Sequence, residues 1–352
     1  MTRSRRVREA VQTLNPGYFA LVMATGIMSI AMHQQEAYHL SVLLLWVTVL
    51  AYLVLLGVSV VRLIGFPRAF RADLFDSSRA FGLFTFVSAT NVLGTRLALD
   101  EHNAVAFGLL IVGSLFWLVF GYVVPWTAVL STAERPVVER ANGTWFMWVV
   151  ASESVAVLAA VLQPDMPEFW RQSLALLAVT SWSIGVFLYA AAGIFVSARM
   201  MLYPLRPEDL IPQYWVAMGG TAITVVAGAR IVEMAHAPMV DATRGLIAGT
   251  SVLFWAFGTW LIPALIAAGV WRHVIHRIPL RYEAPLWSVI FPLGMYGVGC
   301  SYLGAVDHLP IVHYLGSVES WIALTAWGLT FLAMLYHLMR TLVLVDRTAV
   351  AH

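Results

Sequence analysis

The sequence predicts an all-α integral membrane protein with ten transmembrane helices, arranged as five hairpins of one orientation. Of its 352 residues, 60% are hydrophobic and only 11% are charged, whereas a soluble domain carries about 25% charged residues. Apolar stretches of roughly 20 residues or more, enough to cross about 30 Å of hydrocarbon, recur along the whole chain. They are too long and too uniformly apolar to be the alternating strands of a membrane barrel.

Reading these stretches in order gives ten helices and one domain. The predicted helices are 16–34, 40–64, 79–98, 103–132, 143–163, 170–202, 213–237, 243–271, 286–304 and 314–344. Together they form a single transmembrane domain over 1–352, with short terminal segments at 1–15 and 345–352. The longest polar connection, about 65–78, is too short for a soluble domain.

The arginines predict which side of the membrane each connection occupies. All 21 basic residues are arginine, and most lie near the termini or in every second connection. The exceptions are Arg96, Arg171, Arg230 and Arg244. Because basic residues accumulate on the cytoplasmic side, both termini are predicted to be cytoplasmic, in a multi-pass protein of the cell membrane.

The odd-numbered helices differ from the even-numbered ones in composition. Glycine, serine and threonine are frequent in the odd helices, as in 82-GLFTFVSATNVLGT-95, whereas the even helices are leucine- and valine-rich. Small and hydroxylated residues favour tight helix contacts or water over lipid. The odd helices are therefore predicted to form an inner ring around a central pore, shielded from lipid by the even helices. Their common direction favours parallel repeats about an axis along the membrane normal.

Polar side chains that recur at helical spacing on the odd helices predict a lining for this pore. The alternative is that they make ordinary contacts between helices. The predicted lining residues are Tyr18, Thr25, Ser29, Thr85, Ser88, Asn91, Phe146, Gly220 and Thr224.

Several other functional classes find little support in the sequence. The net charge of +2 predicts no nucleic-acid partner, and the arginine clusters are expected to lie beside anionic lipid. There is no glycine-rich phosphate loop, no metal-ligand spacing and no nucleophile arrangement at one membrane depth. We therefore predict no enzyme activity, no cofactor and no metal site. The single cysteine, Cys300, excludes an intramolecular disulfide.

Four segments resemble the tellurite-resistance/dicarboxylate transporter family, which includes bacterial TehA-like channels, malic acid permeases, fungal sulfite pumps and plant slow-type anion channels. They are 15-NPGYFALVMATGI-27, 143-GTWFMWVVASESVAVLAA-160, 213-QYWVAMGGTAITVVAGA-229 and 287-WSVIFPLGMYGVGC-300. The resemblance implies five hairpins around a pore, a small anion as substrate, and assembly as a homotrimer with one pore per subunit.

The resemblance also implies a gate on the ninth helix. A phenylalanine within a Phe-Pro step occludes the pore in that family, and Phe291 with Pro292 matches the step. A proline removes a backbone hydrogen bond and can bend the helix, and an apolar constriction can gate by dewetting. The alternative is that Phe291 is an ordinary packing residue beside a membrane proline.

Ionisable residues at membrane depth are usually paired or face water. Arg96 and Arg230 are predicted to form a positive funnel for anions, although Arg230 and Glu233 could instead simply satisfy each other. Three roles are compatible with Glu153 in the middle of the fifth helix. It could pair with an arginine such as Arg230, stay protonated because burial disfavours the charged form, or exchange a proton during coupled transport.

Two functions remain open on the sequence alone. The first is a channel or facilitator for small anions such as chloride, nitrate or sulfite. The second is a proton-coupled transporter of C4-dicarboxylates such as malate, or a sulfite exporter. An apolar lining closed by a phenylalanine favours the channel, whereas ionisable groups at membrane depth favour coupling.

Overall fold

The computed structural model describes residues 3–130, 136–235, 237–306 and 308–342, and these are mainly helical. The predicted terminal segment 345–352 lies outside the described residues, as do Arg135 and Arg347, two of the arginines that predict the cytoplasmic side. In chain order the α-helices are α1 (Arg3–Gln12), α2 (Ala20–Gln34), α3 (Tyr38–Gly65), α4 (Pro67–Leu74), α5 (Phe84–Ala98), α6 (Asn103–Val124), α7 (Phe146–Leu162), α8 (Glu168–Leu202), α9 (Val216–Val232), α10 (Pro238–Val270), α11 (Trp287–Val306) and α12 (Pro310–Leu342).

Contacts between the helices divide the bundle into two rings. In the inner ring, α2 contacts α5, and the ring continues through α7, α9 and α11 back to α2. Each inner helix also packs along the outer helix that follows it in the chain, namely α3, α6, α8, α10 or α12. The predicted inner ring of odd-numbered spans and the five hairpins are thereby confirmed.

All five inner helices begin at the same end of the bundle. Each starts with a 3-10 turn, and these turns are Pro16–Phe19, Ala80–Leu83, Gly143–Trp145, Pro212–Trp215 and Ala284–Leu286. The turns contact one another in a closed ring, so the inner helices are parallel. We call this the amino end of the bundle, which the arginines predict to be cytoplasmic, and the opposite end the carboxyl end.

Burial separates the two rings clearly. In four inner helices, between 72% and 89% of the most apolar window is buried, whereas the outer helices bury between 6% and 39%. Large apolar side chains of the outer ring remain uncovered, for example Leu43, Trp46 and Leu50 on α3. A surface of this kind matches the acyl chains of a bilayer and would be unfavourable in water.

Nine helices of the described residues are long and apolar enough to cross a membrane, so the predicted count of ten is not confirmed in full. The tenth prediction, 79–98, corresponds to α5 and its 3-10 turn, which do form a continuous helical segment. Polar residues such as Asn91 and Arg96 lower its hydropathy. Because α5 is surrounded by other helices rather than by lipid, it does not need the apolar surface of an outer helix.

Two outer helices begin earlier than predicted, at Pro238 and Pro310 instead of 243 and 314. Proline suits the first turn of a helix, where its missing N–H has no intrahelical partner to lose. In α10 the polar first turn is stable because Arg244 pairs with Asp241 at 2.6 Å and donates to the backbone carbonyl of Met234 at 3.0 Å. The helices α1 and α4 were not predicted.

Glycine allows α11 and α12 to approach until their backbones touch. A Cβ atom added to Gly316 would lie 2.6 Å from the backbone nitrogen of Ser301 and 2.7 Å from the carbonyl oxygen of Gly297. These distances are shorter than any ordinary van der Waals contact, and backbone atoms cannot move aside cheaply. The hairpin therefore depends on small residues at this crossing.

We expect Gly316→Ala to lower the free energy of unfolding by about 1–3 kcal/mol, the usual cost of overpacking. The matched control is Gly328→Ala on the same helix, where nothing lies within 4 Å of the added atom. Thermal unfolding of both variants in detergent micelles measures the difference. Equal midpoints for Gly316→Ala and Gly328→Ala would contradict the close approach.

Candidate functional site

A small cavity lies on the axis of the inner ring, in the half nearer the carboxyl end. Its volume is about 20 Å³, enough for about one water molecule. We call this space the axial cavity, and all five inner helices contribute to its wall. Its lining includes Ile30, Thr95, Ser154, Ile223, Arg230, Met295 and Tyr302.

A second cavity, of about 40 Å³, lies at the amino end of the bundle. In each inner helix, the residue that precedes the first pair of bulky side chains lines this amino-end cavity. These equivalent residues are Gly17, Gly82, Thr144, Gln213 and Pro285. One residue from each hairpin thus faces the same space, as five repeats about a common axis require.

A packed layer separates the two cavities. On α11, Ser288 lines the amino-end cavity and Met295 lines the axial cavity. At 1.5 Å per residue, the layer between them is about 10 Å thick. It includes Phe291 and Pro292, and Phe291 is fully buried.

Several predicted lining residues instead connect the two rings. Thr25 accepts a hydrogen bond from Trp327 of α12 at 3.1 Å. Ser29 donates to the backbone carbonyl of Ser41 of α3 at 2.7 Å. Asn91 faces α6, because a Cβ on Gly113 would lie 2.2 Å from its side-chain oxygen.

Phe146 and Gly220 likewise face the outer ring. Both contact Tyr189 of α8. The ring centroids of Phe146 and Tyr189 are 5.2 Å apart, and a Cβ atom added to Gly220 would lie 3.3 Å from the tyrosine ring. Of the predicted lining residues, Thr85 is the one that borders a cavity described above, at the amino end. The buried Ser88 hydroxyl donates to the Phe84 carbonyl at 3.2 Å.

The predicted lining is revised for a physical reason. A hydroxyl in a helix can donate to the carbonyl four residues earlier, or to a neighbouring helix, without facing water. A polar stripe on an inner helix therefore identifies a surface that contacts other groups. It does not show whether that surface faces the axis of the bundle or the outer helices.

Tyr18 also bonds to protein rather than to an axial space. Its hydroxyl lies 3.0 Å from that of Tyr282, which accepts from the Trp287 indole at 3.0 Å. Burial raises the pKa of Tyr282, as does its hydrogen bond with Tyr18. The phenol therefore stays protonated, and the three residues link the beginnings of α2 and α11.

The two arginines of the predicted funnel have different environments. Arg96 is fully buried, pairs with Asp100 at 2.8 Å, and donates to Ser29 at 2.8 Å and Ser41 at 3.0 Å. It therefore joins α2, α3 and α5, away from the axis.

Arg230, in contrast, lines the axial cavity. It pairs with Glu233 at 3.0 Å, donates to the Tyr302 hydroxyl, and lies 3.9 Å from the centroid of that ring. Arg230 thus brings a positive charge to the carboxyl-end side of the axis, partly neutralised by Glu233.

Glu153 of α7 is fully buried against α9, and none of the ion pairs among the described residues involves it. Its Oε1 atom is 3.1 Å from the Thr224 hydroxyl, and its Oε2 atom has no hydrogen-bond partner among the described residues. The predicted alternative of a Glu153–Arg230 bridge is therefore not what the structure shows, since Arg230 pairs with Glu233.

The hydrogen bonds around Thr224 favour a neutral Glu153. The Thr224 oxygen lies 2.8 Å from the Gly220 carbonyl and 3.1 Å from Glu153 Oε1, but a hydroxyl has only one proton to donate. If that proton goes to the nearer carbonyl, the carboxyl group must donate the second bond. A protonated Glu153 satisfies both contacts and avoids an uncompensated buried charge.

Gly185 of α8 provides the space that the Glu153 side chain occupies. A Cβ atom on Gly185 would lie 2.3 Å from Glu153 Oε1. Glu153 thus belongs to the contact between α7, α8 and α9, and the described contacts of its carboxyl group are with that interface.

Apart from Thr85, sequence reasoning missed the residues of the amino-end cavity, above all Thr144, Gln213 and Ser288. A signal was available, because the segments beginning at Asn15 and Asn142 share an asparagine followed three and four residues later by two aromatic side chains. Both asparagines cap their helices, with Oδ1 atoms 2.8 Å from the backbone nitrogens of Gly17 and Thr144.

Comparison with known proteins identifies relatives across almost the whole chain. Residues 13–335 match the SLAC1 family, described as voltage-dependent anion channel. An uncharacterized membrane protein of Mycobacterium tuberculosis is 66% identical over 157 residues, which cover 45% of this chain and 80% of that protein. An uncharacterized transporter of Methanocaldococcus jannaschii is 24% identical over 92% of this chain and 94% of its own. A sulfite efflux pump of Trichophyton rubrum is 21% identical, covering 93% and 91% respectively.

The packing of Glu153 against Gly185 can be measured with a double-mutant cycle. We expect Gly185→Ala to lower the free energy of unfolding by about 1–3 kcal/mol, because the added methyl group overlaps the carboxyl group. In a Glu153→Ala background the same substitution should cost little, because the overlap is removed. Gly193→Ala on the same helix, with nothing within 4 Å of its Cβ, is the control. Additive effects of Gly185→Ala and Glu153→Ala would contradict direct contact.

Proposed function

Because this chain belongs to the SLAC1 family of voltage-dependent anion channels, we propose that it conducts small anions along the axis of its inner ring. The observation that carries this proposal is the pair of cavities, each lined by residues of all five inner helices or of the 3-10 turns that begin them. A permeation path shared by five parallel helices has to follow their common axis, and the two cavities lie along it.

We propose that Phe291 and Pro292 close this path. Phe291 is fully buried within the packed layer between the cavities. A Cβ on Gly219 would lie 2.9 Å from the Pro292 ring, so α9 supports α11 closely at the proline. A bulky apolar side chain held there would exclude water and ions from the narrowest part of the axis.

The dimensions of the cavities favour chloride, nitrate or sulfite over a C4-dicarboxylate. Volumes of about 20 and 40 Å³ correspond to about one and three water molecules. The Arg230 guanidinium supplies a positive charge on the axial cavity, where it would attract an anion. Similarity to fungal sulfite efflux pumps adds weight to sulfite within this group.

We further propose that the protein lies in the cell membrane with both termini in the cytoplasm. The arginines near the amino end support this orientation, and the apolar outer ring supports direct contact with the lipid bilayer. The family resemblance supports a homotrimer with one path per subunit.

Replacing Phe291 with alanine should open the proposed path. We expect chloride conductance in proteoliposomes to rise about tenfold or more, which corresponds to a barrier lowered by about 1.4 kcal/mol or more. Phe187→Ala is the matched control, since Phe187 lies on α8 and is 78% exposed. Gel filtration and equal protein density would show that both variants are folded and inserted. Unchanged conductance of folded Phe291→Ala would reject Phe291 as the gate.

A second candidate function, proton-coupled transport of a C4-dicarboxylate, is favoured by one observation. Glu153 is a buried carboxyl group that forms no ion pair within the described part of the chain, and such a group can hold a proton at membrane depth. The hydrogen bond between Thr224 and Glu153 can form with either the threonine hydroxyl or a protonated Glu153 as the donor.

Glu153→Gln distinguishes the two candidates. In the channel, a neutral amide replaces a neutral acid, and we expect chloride conductance within about twofold of wild type. In a proton-coupled transporter, the same substitution abolishes malate-dependent proton uptake. Both fluxes can be measured in one proteoliposome preparation with a pH-sensitive dye and a chloride electrode. Malate-driven proton uptake in the wild type that is lost in Glu153→Gln would establish coupling instead of the channel.

A further inference from the structure

The amino-end cavity has features of a ligand site that go beyond a passage. Five helices of the inner ring begin around it. The beginning of a helix leaves N–H groups without intrahelical partners and carries about half a positive charge. Five such ends converge on one space of about 40 Å³.

The outer helices end on the same side, and their carboxyl ends carry the opposite partial charge. Those ends lie on the periphery of the bundle, whereas the inner helices begin at the axis. Since the effect of a helix terminus falls off within about one turn, the inner helices determine the potential in the cavity.

Two of the five helix beginnings around the cavity carry a side-chain cap. Asn15 and Asn142 cap α2 and α7, but the 3-10 turns that begin α5, α9 and α11 have no side-chain cap. The Ala80 N–H already donates to the Asp76 carbonyl at 2.8 Å, and Pro212 and Pro285 have no N–H. These beginnings therefore act on the cavity through the positive end of the helix dipole.

A buried hydroxyl points to the same ligand. Thr144 lines the cavity, is only 8% exposed, and its Oγ1 atom has no hydrogen-bond partner among the described residues. The Gln213 side-chain oxygen is also without a partner, and rotation of the amide by 180° would present its NH₂ group. Buried polar atoms normally have partners, so an anion that accepts these bonds would complete the site.

Charge distinguishes an anion from a cation or a neutral molecule. Arg79 is the charged residue that lines the cavity, and no acidic side chain does so among the described residues. Its guanidinium pairs with Asp73 at 3.1 Å. Asp73 also pairs with Arg62 at 2.6 Å, so Asp73 keeps a partner when Arg79 turns toward the cavity.

We propose that the amino-end cavity binds one small inorganic anion before it enters the packed layer. The ligands are the Thr144 hydroxyl and the Arg79 guanidinium, and the positive ends of the surrounding inner helices favour the bound charge. This inference rests on the proposed function, because it names a resting position for the conducted ion. The size of the cavity suits a halide or a small oxyanion.

Chloride binding to the full-length protein in detergent micelles tests the site without requiring transport. Exchange with a protein site broadens the ³⁵Cl NMR line, and we expect saturable broadening in the wild type. Thr144→Val and Arg79→Gln should each raise the half-saturating chloride concentration about tenfold, the effect of losing one hydrogen bond to a charged group. Thr144→Ser keeps the hydroxyl and should bind like the wild type.

Two matched controls separate the site from general effects. Thr325→Val removes an exposed hydroxyl of α12 that donates to the Trp321 carbonyl of the same helix. Arg71→Gln removes an arginine from the neighbouring helix α4 that contacts Phe75 and does not line the cavity. Both should leave the half-saturating concentration within about twofold, as expected for exposed groups. Gel filtration shows whether each variant is folded.

The outcomes distinguish this site from the proposed channel. No saturable broadening in the wild type, or equal binding by folded Thr144→Val and Arg79→Gln, would overturn the anion site. If chloride binds as expected but Phe291→Ala does not conduct, the site stands and the proposed channel fails. If Phe291→Ala conducts and no chloride binds, the channel stands and the site fails.

Discussion

Within the hydrocarbon of a membrane, each polar group of this bundle has to find its partner inside the protein, because lipid offers none. Arg96 shows the consequence most clearly, since its fully buried guanidinium bonds to Ser29, Ser41 and Asp100. These contacts join α2, α3 and α5. Many polar side chains of the inner ring hold helices together in this way. A buried polar atom without a partner in the protein therefore points to a ligand.

The fold was largely predictable because its causes are encoded along the chain. Lipid requires a long apolar surface, so the outer helices are visible as hydrophobic runs, and their alternation with glycine-rich spans predicts two rings. α5 shows where this reasoning weakens. Its surroundings are other helices, so its Asn91 and Arg96 are tolerated and its hydropathy falls below that of a membrane span. The early start at Pro238 was missed because the polar first turn of α10 pairs internally through Asp241 and Arg244.

The site was less predictable, because the direction of a side chain on an inner helix depends on both rings. Helical spacing placed Ser29 and Asn91 on polar stripes, but the stripes face neighbouring helices. A bridge between Glu153 and an arginine such as Arg230 was one of three alternatives, whereas Arg230 pairs with Glu233, three residues along the same helix. The position of Thr144 could have been inferred only by comparing the five hairpin beginnings with one another, since one turn alone gives no indication of a shared cavity.

The packed layer around Phe291 also determines where a transmembrane voltage acts. Aqueous spaces conduct, so a potential applied across the bilayer falls mainly over the part of the axis that water cannot enter. If that part is the layer of about 10 Å between the cavities, the electric field there is about three times as steep as across 30 Å of unbroken hydrocarbon. A single charge crossing it at 100 mV gains or loses about 2.3 kcal/mol within two turns of helix.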